Sequence, residues 1–293
     1  MHVPVLLKET ILALDLSPGE FAIDGTVGGG GHAAEILERI RPGGTLLGLD
    51  RDPERIRDCE KKFRGNDDAV FVRGNYADLP DILAERGPKK ADAILLDLGF
   101  SSDQLRSGRG MSFDPASAEE LLLLTYDPEA TPAYEVLKTM REEEVEKVLR
   151  EFGEERFAKR IAREIYSRER RNPIATNHDL AETVARAVPR SYERGRIHPA
   201  TRTFQALRIH VNDELGSLSR FLARLTDILG AGGRVAIISF HSLEDRIVKR
   251  AFRDFEKQGM LSLLTKKPIR PTREEAEANP RSRSAKLRTA KIN

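Results

Sequence analysis

Over the first hundred residues, apolar side chains fall in short unbroken runs separated by longer mixed stretches. Phe21-Ala22-Ile23, Leu46–Leu49, Val70-Phe71-Val72 and Ala93–Leu96 are the runs. Strands buried on both faces read this way, without alternation, and parallel sheets are built from them. Residues 5–16 carry Leu6, Leu7, Ile11, Leu12, Leu14 and Leu16 and predict an amphipathic helix ahead of the first run. Stretches 33–41, 54–64 and 77–86 predict helices between the runs. Arg41-Pro42-Gly43-Gly44 stops the first of these, and Pro53 opens the second. Strand and helix thus alternate four times in about 100 residues, the pattern of a doubly wound α/β sheet.

The pattern then changes. From residue 106 to about 230 no run reads as a strand. Stretches 117–124, 134–152, 154–170, 178–188 and 201–229 predict helices, punctuated by Pro128, Pro132, Pro173, Pro189 and Pro199. A strand returns at Gly233–Phe240. A sheet that stops and resumes predicts an insertion: residues 1–105 and 201–293 form one discontinuous domain, and 106–200 form an inserted all-helical domain. Helix 201–229 is expected on the sheet, through Phe204, Leu207, Val211, Leu215, Leu218, Leu222, Leu225 and Leu229. Residues 262–293 hold nine Lys/Arg against three Glu. Within them, 284–292 reads either as an edge strand or as a solvated basic tail.

Composition narrows the class. The 293 residues are 39% hydrophobic, enough for a substantial core, and 33% charged with a formal net charge of only +2. Global charge therefore names no partner. The one cysteine, Cys59, excludes an internal disulfide and a cysteine metal cluster. The N-terminus has no apolar signal core, and no run approaches the ~20 apolar residues that span a bilayer. A cytoplasmic protein with no membrane partner is expected, its oligomeric state open and a homodimer included.

Candidate chemistry gathers where the predicted strands end. Asp24-Gly25-Thr26-Val27-Gly28-Gly29-Gly30-Gly31-His32 joins the first strand to its helix. Such a loop lets a ligand approach the backbone and the N–H groups at the helix start, or it is simply a glycine-rich turn. Asp50 ends the second strand about twenty residues beyond the glycines, where an acid accepts ribose hydroxyls, or caps the helix at Pro53. Asp97 ends the fourth strand. Gly29-x-Gly31-x-x-Ala34 fits a loose dinucleotide fingerprint, which admits a nicotinamide oxidoreductase. Asp24 and Asp97 suit a cationic ligand better than a pyrophosphate, which favours S-adenosyl-L-methionine and a methyltransferase. His241, just after the returning strand, is a second candidate for proton transfer or a helix cap.

Several strings together resemble one family. They are His2–Leu7, Asp24–Thr26 with Gly28–His32, Asp50–Pro53, Leu95–Gly99 with Ser101, Ser102, Gln104 and Leu105, Gly153–Ala158, His198–Ala206, Ile238–Arg246 and Asn279–Ser284. In order and over nearly the whole length, they are similar to the RsmH (MraW) family. Its members are S-adenosylmethionine-dependent methyltransferases that modify N4 of a cytidine in 16S ribosomal RNA. The resemblance implies a Rossmann-like class I methyltransferase sheet with a helical insertion, acting on 16S rRNA of the small ribosomal subunit near the decoding centre. It implies cofactor contacts at Gly30, Gly31, His32, Asp50, Tyr76, Asp97 and Gln104. Tyr76 stands where the family usually has Phe, and keeps an aromatic face for the adenine.

For the reaction, Asp97 is the first candidate acceptor for the cytosine amine and His241 the second. Arg194, Arg196, Arg202, Arg208 and the basic tail are candidate RNA contacts. One stretch departs from the family. After Arg109-Gly110-Met111-Ser112-Phe113 relatives continue to Pro-Leu-Asp-Met-Arg, whereas this chain reads Glu120-Leu121-Leu122-Leu123-Leu124-Thr125-Tyr126-Asp127. That leaves open an alternative: a ribosome-assembly RNA-binding factor that keeps the cofactor site with weak or altered activity.

Overall fold

The computed structural model describes residues 4–86, 90–99, 108–111, 118–192 and 198–293. It divides into two compact units, Met1–Gly99 with Leu215–Asn293, and Phe100–Glu214.

The first unit is built on a seven-stranded sheet in the order β3-β2-β1-β4-β5-β7-β6. The strands are β1 (Phe21–Asp24), β2 (Thr45–Asp50), β3 (Ala69–Arg73), β4 (Ala91–Asp97), β5 (Leu229–Ser239), β6 (Leu261–Leu263) and β7 (Lys286–Ile292). β1 to β5 run parallel, and β7 lies antiparallel between β5 and β6. The architecture is a Rossmann-like mixed α/β sheet. Its helices are α1 (Leu7–Leu14), α2 (Gly31–Ile40), α3 (Pro53–Lys62) and α4 (Leu79–Arg86).

The unbroken apolar runs are explained by the two faces. Ile23, Leu47, Leu49, Ile94, Leu96, Val235 and Ile237 point to one core, with Leu79 and Leu83 of α4. Their neighbours Ala22, Leu46, Ala93, Leu95, Ala236 and Ile238 point to the other, under Ile11, Leu14, Ile36, Leu37 and Ile40. Adjacent strand residues face opposite sides, so burial on both sides demands apolar side chains at every position. Truncating one of these, such as the fully buried Ile94, removes about 2–5 kcal/mol of stability.

The second unit is helical: α5 (Ala133–Thr139), α6 (Glu142–Gly153), α7 (Ala158–Glu169), α8 (Asn177–Ala187) and α9 (Thr201–Asn212). Leu137, Leu149, Ile161, Ile165, Leu180, Val184 and Leu207 form its core. α8 starts on a capping box, with Thr176 and Asp179 each bonding the other's backbone N–H. After it come α10 (Glu214–Ala223), α11 (Leu225–Ile228), α12 (Ser242–Lys257) and α13 (Arg273–Ala278).

Five expectations differ from the structure. The helix predicted over 201–229 breaks at Asp213, which sits in the left-handed region (φ 47°), into α9, α10 and α11. Its first part joins the helical core through Phe204 and Leu207, and Leu218, Phe221 and Leu222 pack on the sheet. The division between units falls at Glu214, not at residue 200. The helix predicted over 154–170 starts only at Ala158, because Glu154 takes a left-handed conformation after Gly153. The helix predicted over 117–124 is a turn at 118–120 with no helix after it up to 124. Leu121 bridges Thr176, Leu122 and Leu124 are buried while Leu121 is exposed, and Leu124 has φ 58°. A leucine run carries no period of its own, and tertiary burial chose period two. The C-terminal segment is neither edge strand nor tail: β7 lies inside the sheet, with Leu287, Thr289 and Ala290 buried.

Candidate active site

The carboxyl ends of the parallel strands bring the predicted residues of the first unit together. Ligands of open α/β sheets bind outside these ends, at the point where strand order reverses, which here is between β1 and β4. Asp24 ends β1, Asp50 ends β2, Asp97 ends β4, and Tyr76 follows β3 in a single 3₁₀ turn.

The glycine loop is held by its own neighbours. Its turn positions are set by Asp50, whose Oδ2 accepts from Gly28 N (3.0 Å) while Oδ1 accepts from Asp52 N (2.9 Å). Asp52 in turn caps α3 by accepting from Glu54 N (2.9 Å). Thus Asp52, not Asp50, is the side-chain cap of α3, and Asp50 braces the loop, a task that neither sequence reading of it named. Lys62 Nζ donates to the carbonyls of Gly29 (3.1 Å) and Gly30 (2.7 Å), and the Cys59 thiol to that of Gly28 (3.3 Å). Neither residue was marked out by sequence, because nothing local ties them to a loop some thirty positions away.

The glycines themselves are needed for packing as much as for approach. Gly30 has φ 68°, and a Cβ there would lie 2.8 Å from the Phe63 ring. At Gly31 a Cβ would collide with Pro4. Around Gly29 there is open space.

Charge dominates the site. Asp24 is buried and pushed up to about 7, first by loss of water and further by Asp50, against the opposing hydrogen bond from Thr26 N (3.2 Å). Burial also raises Asp50, to about 6. Asp97 is raised by burial and then by Asp24 and Glu244. Its backbone N–H donates to Thr26 Oγ1 (2.6 Å), and its Oδ2 lies 3.7 Å from His32 Nδ1. Asp97 Oδ1 is buried with no hydrogen-bond partner among the described residues. Four carboxylates thus gather at one edge, where Asp50 raises the proton affinity of Asp24, and Asp24 and Glu244 raise that of Asp97. An anionic pyrophosphate would add to that repulsion, while a cation would relieve it. The same burial, with Asp24 and Asp50 nearby, pushes the Cys59 thiol up to about 12, so it is a packed group and not a nucleophile.

The other predicted residues take distinct places. The His32 ring is buried, its Nε2 3.1 Å from the Val5 carbonyl, so its side chain spans from that carbonyl to Asp97. Tyr76 meets Phe221 edge-on, at 5.8 Å between ring centres and 88° between planes. His241 is the N-cap of α12. Its Nδ1 accepts from Glu244 N (3.4 Å), its Nε2 lies 3.2 Å from Glu244 Oε1, and Glu244 Oε2 accepts from His241 N (3.2 Å). That reciprocal box gives His241 the capping task. Gln104, like Ser101, Ser102, Arg194 and Arg196, lies outside the described residues. Arg208 is not available as an RNA contact: it is buried and forms a bidentate pair with Glu214 (2.8 and 3.0 Å). Arg202 donates to the Gly153 carbonyl (3.5 Å).

A family model described as the MraW methylase family matches residues 1–293. The chain belongs to the MraW methylase family. Relatives of this family include two proteins named "Ribosomal RNA small subunit methyltransferase H". The one from Syntrophus aciditrophicus is 46% identical over 307 residues, covering 99% of this chain and 96% of the relative. The one from Rhodopirellula baltica is 48% identical over 303 residues, covering 99% and 91%. Among solved structures, Aeropyrum pernix fibrillarin with natively bound S-adenosyl-L-methionine aligns over 97% of this chain and 73% of its own, at 11% identity and a TM-score of 0.44. As a member of the MraW methylase family, the chain is a methyltransferase. No helix among its described residues is long and apolar enough to cross a membrane.

Proposed function

We propose that this methylase transfers a methyl group from S-adenosyl-L-methionine to the exocyclic N4 amine of a cytidine in 16S rRNA of the small ribosomal subunit, near the decoding centre and in the cytoplasm. The observation that carries the donor is the cluster of carboxylates, Asp24, Asp50, Asp97 and Glu244, at the carboxyl edge of the sheet, where burial raises Asp24, Asp50 and Asp97. The donor's ammonium and sulfonium are cations, and its ribose offers two hydroxyl donors. The residues therefore fit it: Asp50 at the ribose, Tyr76 at the adenine, and the backbone of Gly30, Gly31 and His32 at the helix start. Gln104 completes the set by family resemblance. When bound, the donor supplies an electrophilic methyl group.

The chain's own task is to position and to accept a proton. A cytosine amine is a poor nucleophile because its lone pair is delocalised into the ring. Asp97 Oδ1, buried and without a partner among the described residues, accepts a hydrogen bond from the amine and localises that lone pair. Holding the amine in line with the methyl group supplies much of the remaining acceleration. The base must leave its stack to reach this edge. His241 is the second candidate: its Nδ1 caps α12, and its Nε2 is buried without a hydrogen-bond partner among the described residues. The rRNA target is supported by the relatives' names and by the family strings around Asp97 and His241.

Leu121–Asp127, the segment that departs from the family, supplies core leucines to the helical unit. Its change therefore gives no reason to expect loss of turnover. The decisive experiment incubates labelled S-adenosyl-L-methionine with small subunits lacking the modification. Label on cytidine N4 is the expected result, and binding of the donor with no label on cytidine would sink the reading.

A further inference from the structure

The outward face of α12 carries a ladder of like charges that the site described above does not use. Arg246, Lys249, Arg250, Arg253 and Lys257 recur at intervals of three and four. At 3.6 residues per turn they occupy one arc of about 100° and run for ~16 Å along the helix. The opposite face, with Val248 and Phe252 buried and Ile247, Ala251 and Phe255 packed beside them, seals onto the sheet core. Four of the five cations are exposed and Lys249 is half-buried.

Two features mark this ladder. Several exposed cations on other helices pair with acids one turn away, such as Lys138 with Glu135, Arg186 with Glu182, Arg224 with Asp227 and Arg273 with Glu277. On α12, Lys249, Arg250 and Arg253 have neither an ion pair nor a hydrogen bond from their side chains among the described residues. The acids of α12 are engaged away from them. Glu244 closes the helix cap, Asp245 is held by Lys286 (3.1 Å) and Arg288 (2.7 Å) of β7, and Asp254 pairs with Lys257 (3.7 Å). Only Glu256 flanks the arc. Second, the spacing itself opposes helix stability. Arg246–Arg250, Lys249–Arg253 and Arg253–Lys257 are like-charge pairs at i, i+4. The negative end of the helix dipole offsets this only in the last turn. An anion bound along the arc would relieve that repulsion.

We infer that this ladder is a phosphate-tracking surface for the RNA strand that delivers the target base. The inference rests on the proposed rRNA function. α12 begins at His241, on the same edge of the sheet as Asp24, Asp50 and Asp97, so the ladder starts about one turn from the site and leads away from it. A regular row of cations along ~16 Å, with Lys249, Arg250 and Arg253 lacking an ion pair among the described residues, complements a sugar-phosphate backbone, whose charges recur along a line. It reads no base, and so fixes register without adding sequence preference.

The test is a K249Q/R250Q/R253Q triple variant in the full chain. Its affinities for small subunits lacking the modification and for transcribed 16S rRNA are measured across a salt series, beside the wild-type protein. The expected result is a loss of about tenfold or more near 100 mM salt, with the slope of log affinity against log salt shallower by about two. KM for RNA rises while kcat and donor affinity hold, and the melting temperature does not fall, because like charges have been removed. The K249R/R250K/R253K variant retains wild-type affinity. An unchanged slope overturns the inference, as does a loss confined to subunits with naked RNA unaffected, which would assign the ladder to a protein contact. Wild-type protein that methylates neither RNA removes the functional reading along with the ladder. Active wild-type protein with an unaffected triple variant removes the ladder alone.

Discussion

Two buried polar clusters, one in each unit, handle charge in opposite ways. In the helical unit Arg208 clasps Glu214 through two hydrogen bonds, Tyr126 Oη donates to the same carboxylate (2.9 Å), and Asn212 bonds both the Tyr126 N–H (2.8 Å) and the Leu124 carbonyl (2.7 Å). Arg109 adds a bond to the Tyr126 carbonyl (2.6 Å). Opposite charges meet there and the polar atoms are satisfied. At the sheet edge, by contrast, Asp24 is buried, Asp50 and Asp97 are half-buried, Asp24 and Glu244 act on Asp97, and Asp97 keeps a buried oxygen without a partner among the described residues. Saturated charge builds structure, whereas uncompensated charge awaits a ligand. The comparison also accounts for the unusual 120–127 segment: it is pinned by the saturated cluster.

Substitutions should separate the two clusters. Glu214→Ala strips Arg208 of its bidentate partner in a buried setting and should cost about 3 kcal/mol or more of stability, read from denaturant unfolding. Asp97→Asn should do the reverse. Methyl transfer should fall about 100-fold or more. The melting temperature should hold or rise, since one of several repelling acids is gone. If Asp97→Asn unfolds the protein and Glu214→Ala does not, the contrast is wrong.

Asp50→Ala loses a ribose acceptor and the brace on Gly28, and should weaken donor binding by about 1–3 kcal/mol in calorimetric titration. The smallest effect is expected from pH. Asp24 moves from an ordinary value of 3.8 to about 7, so between those values the folded state holds a proton that the unfolded chain has released. Stability of the donor-free protein should therefore fall as pH rises through that window. A cationic donor favours the ionised acids, so its binding should release protons and be about tenfold tighter at pH 8 than at pH 5.5. Calorimetry in buffers of different ionisation enthalpy checks the proton count; affinity flat with pH would argue against a cation at this edge.

Much of the sheet was legible in the chain, because strands buried on both faces are short apolar runs bounded by turn residues, as at Ala22-Ile23 and Ile94-Leu95. Asp50 was legible as the acid that ends the second strand. The brace formed by Lys62 and Cys59 was not, since it depends on α3 folding back under the loop. The leucine run at 121–124 misled for a different reason: apolar at every position, it fits either period, and only its neighbours decide.

By itself the sequence determined the alternation of strands and helices, the glycine loop, and three acids at strand ends. Each of these is written in local order, as burial patterns and turn residues. Tertiary structure alone decided that Asp24, Asp50, Asp97 and Glu244 share one edge, that Arg208 is consumed by Glu214, and that β7 enters the sheet between β5 and β6. Those outcomes depend on which distant side chains meet, and on how much water is excluded where they do. Charge is therefore the part of this protein that the chain spells out one residue at a time but that only folding turns into a field.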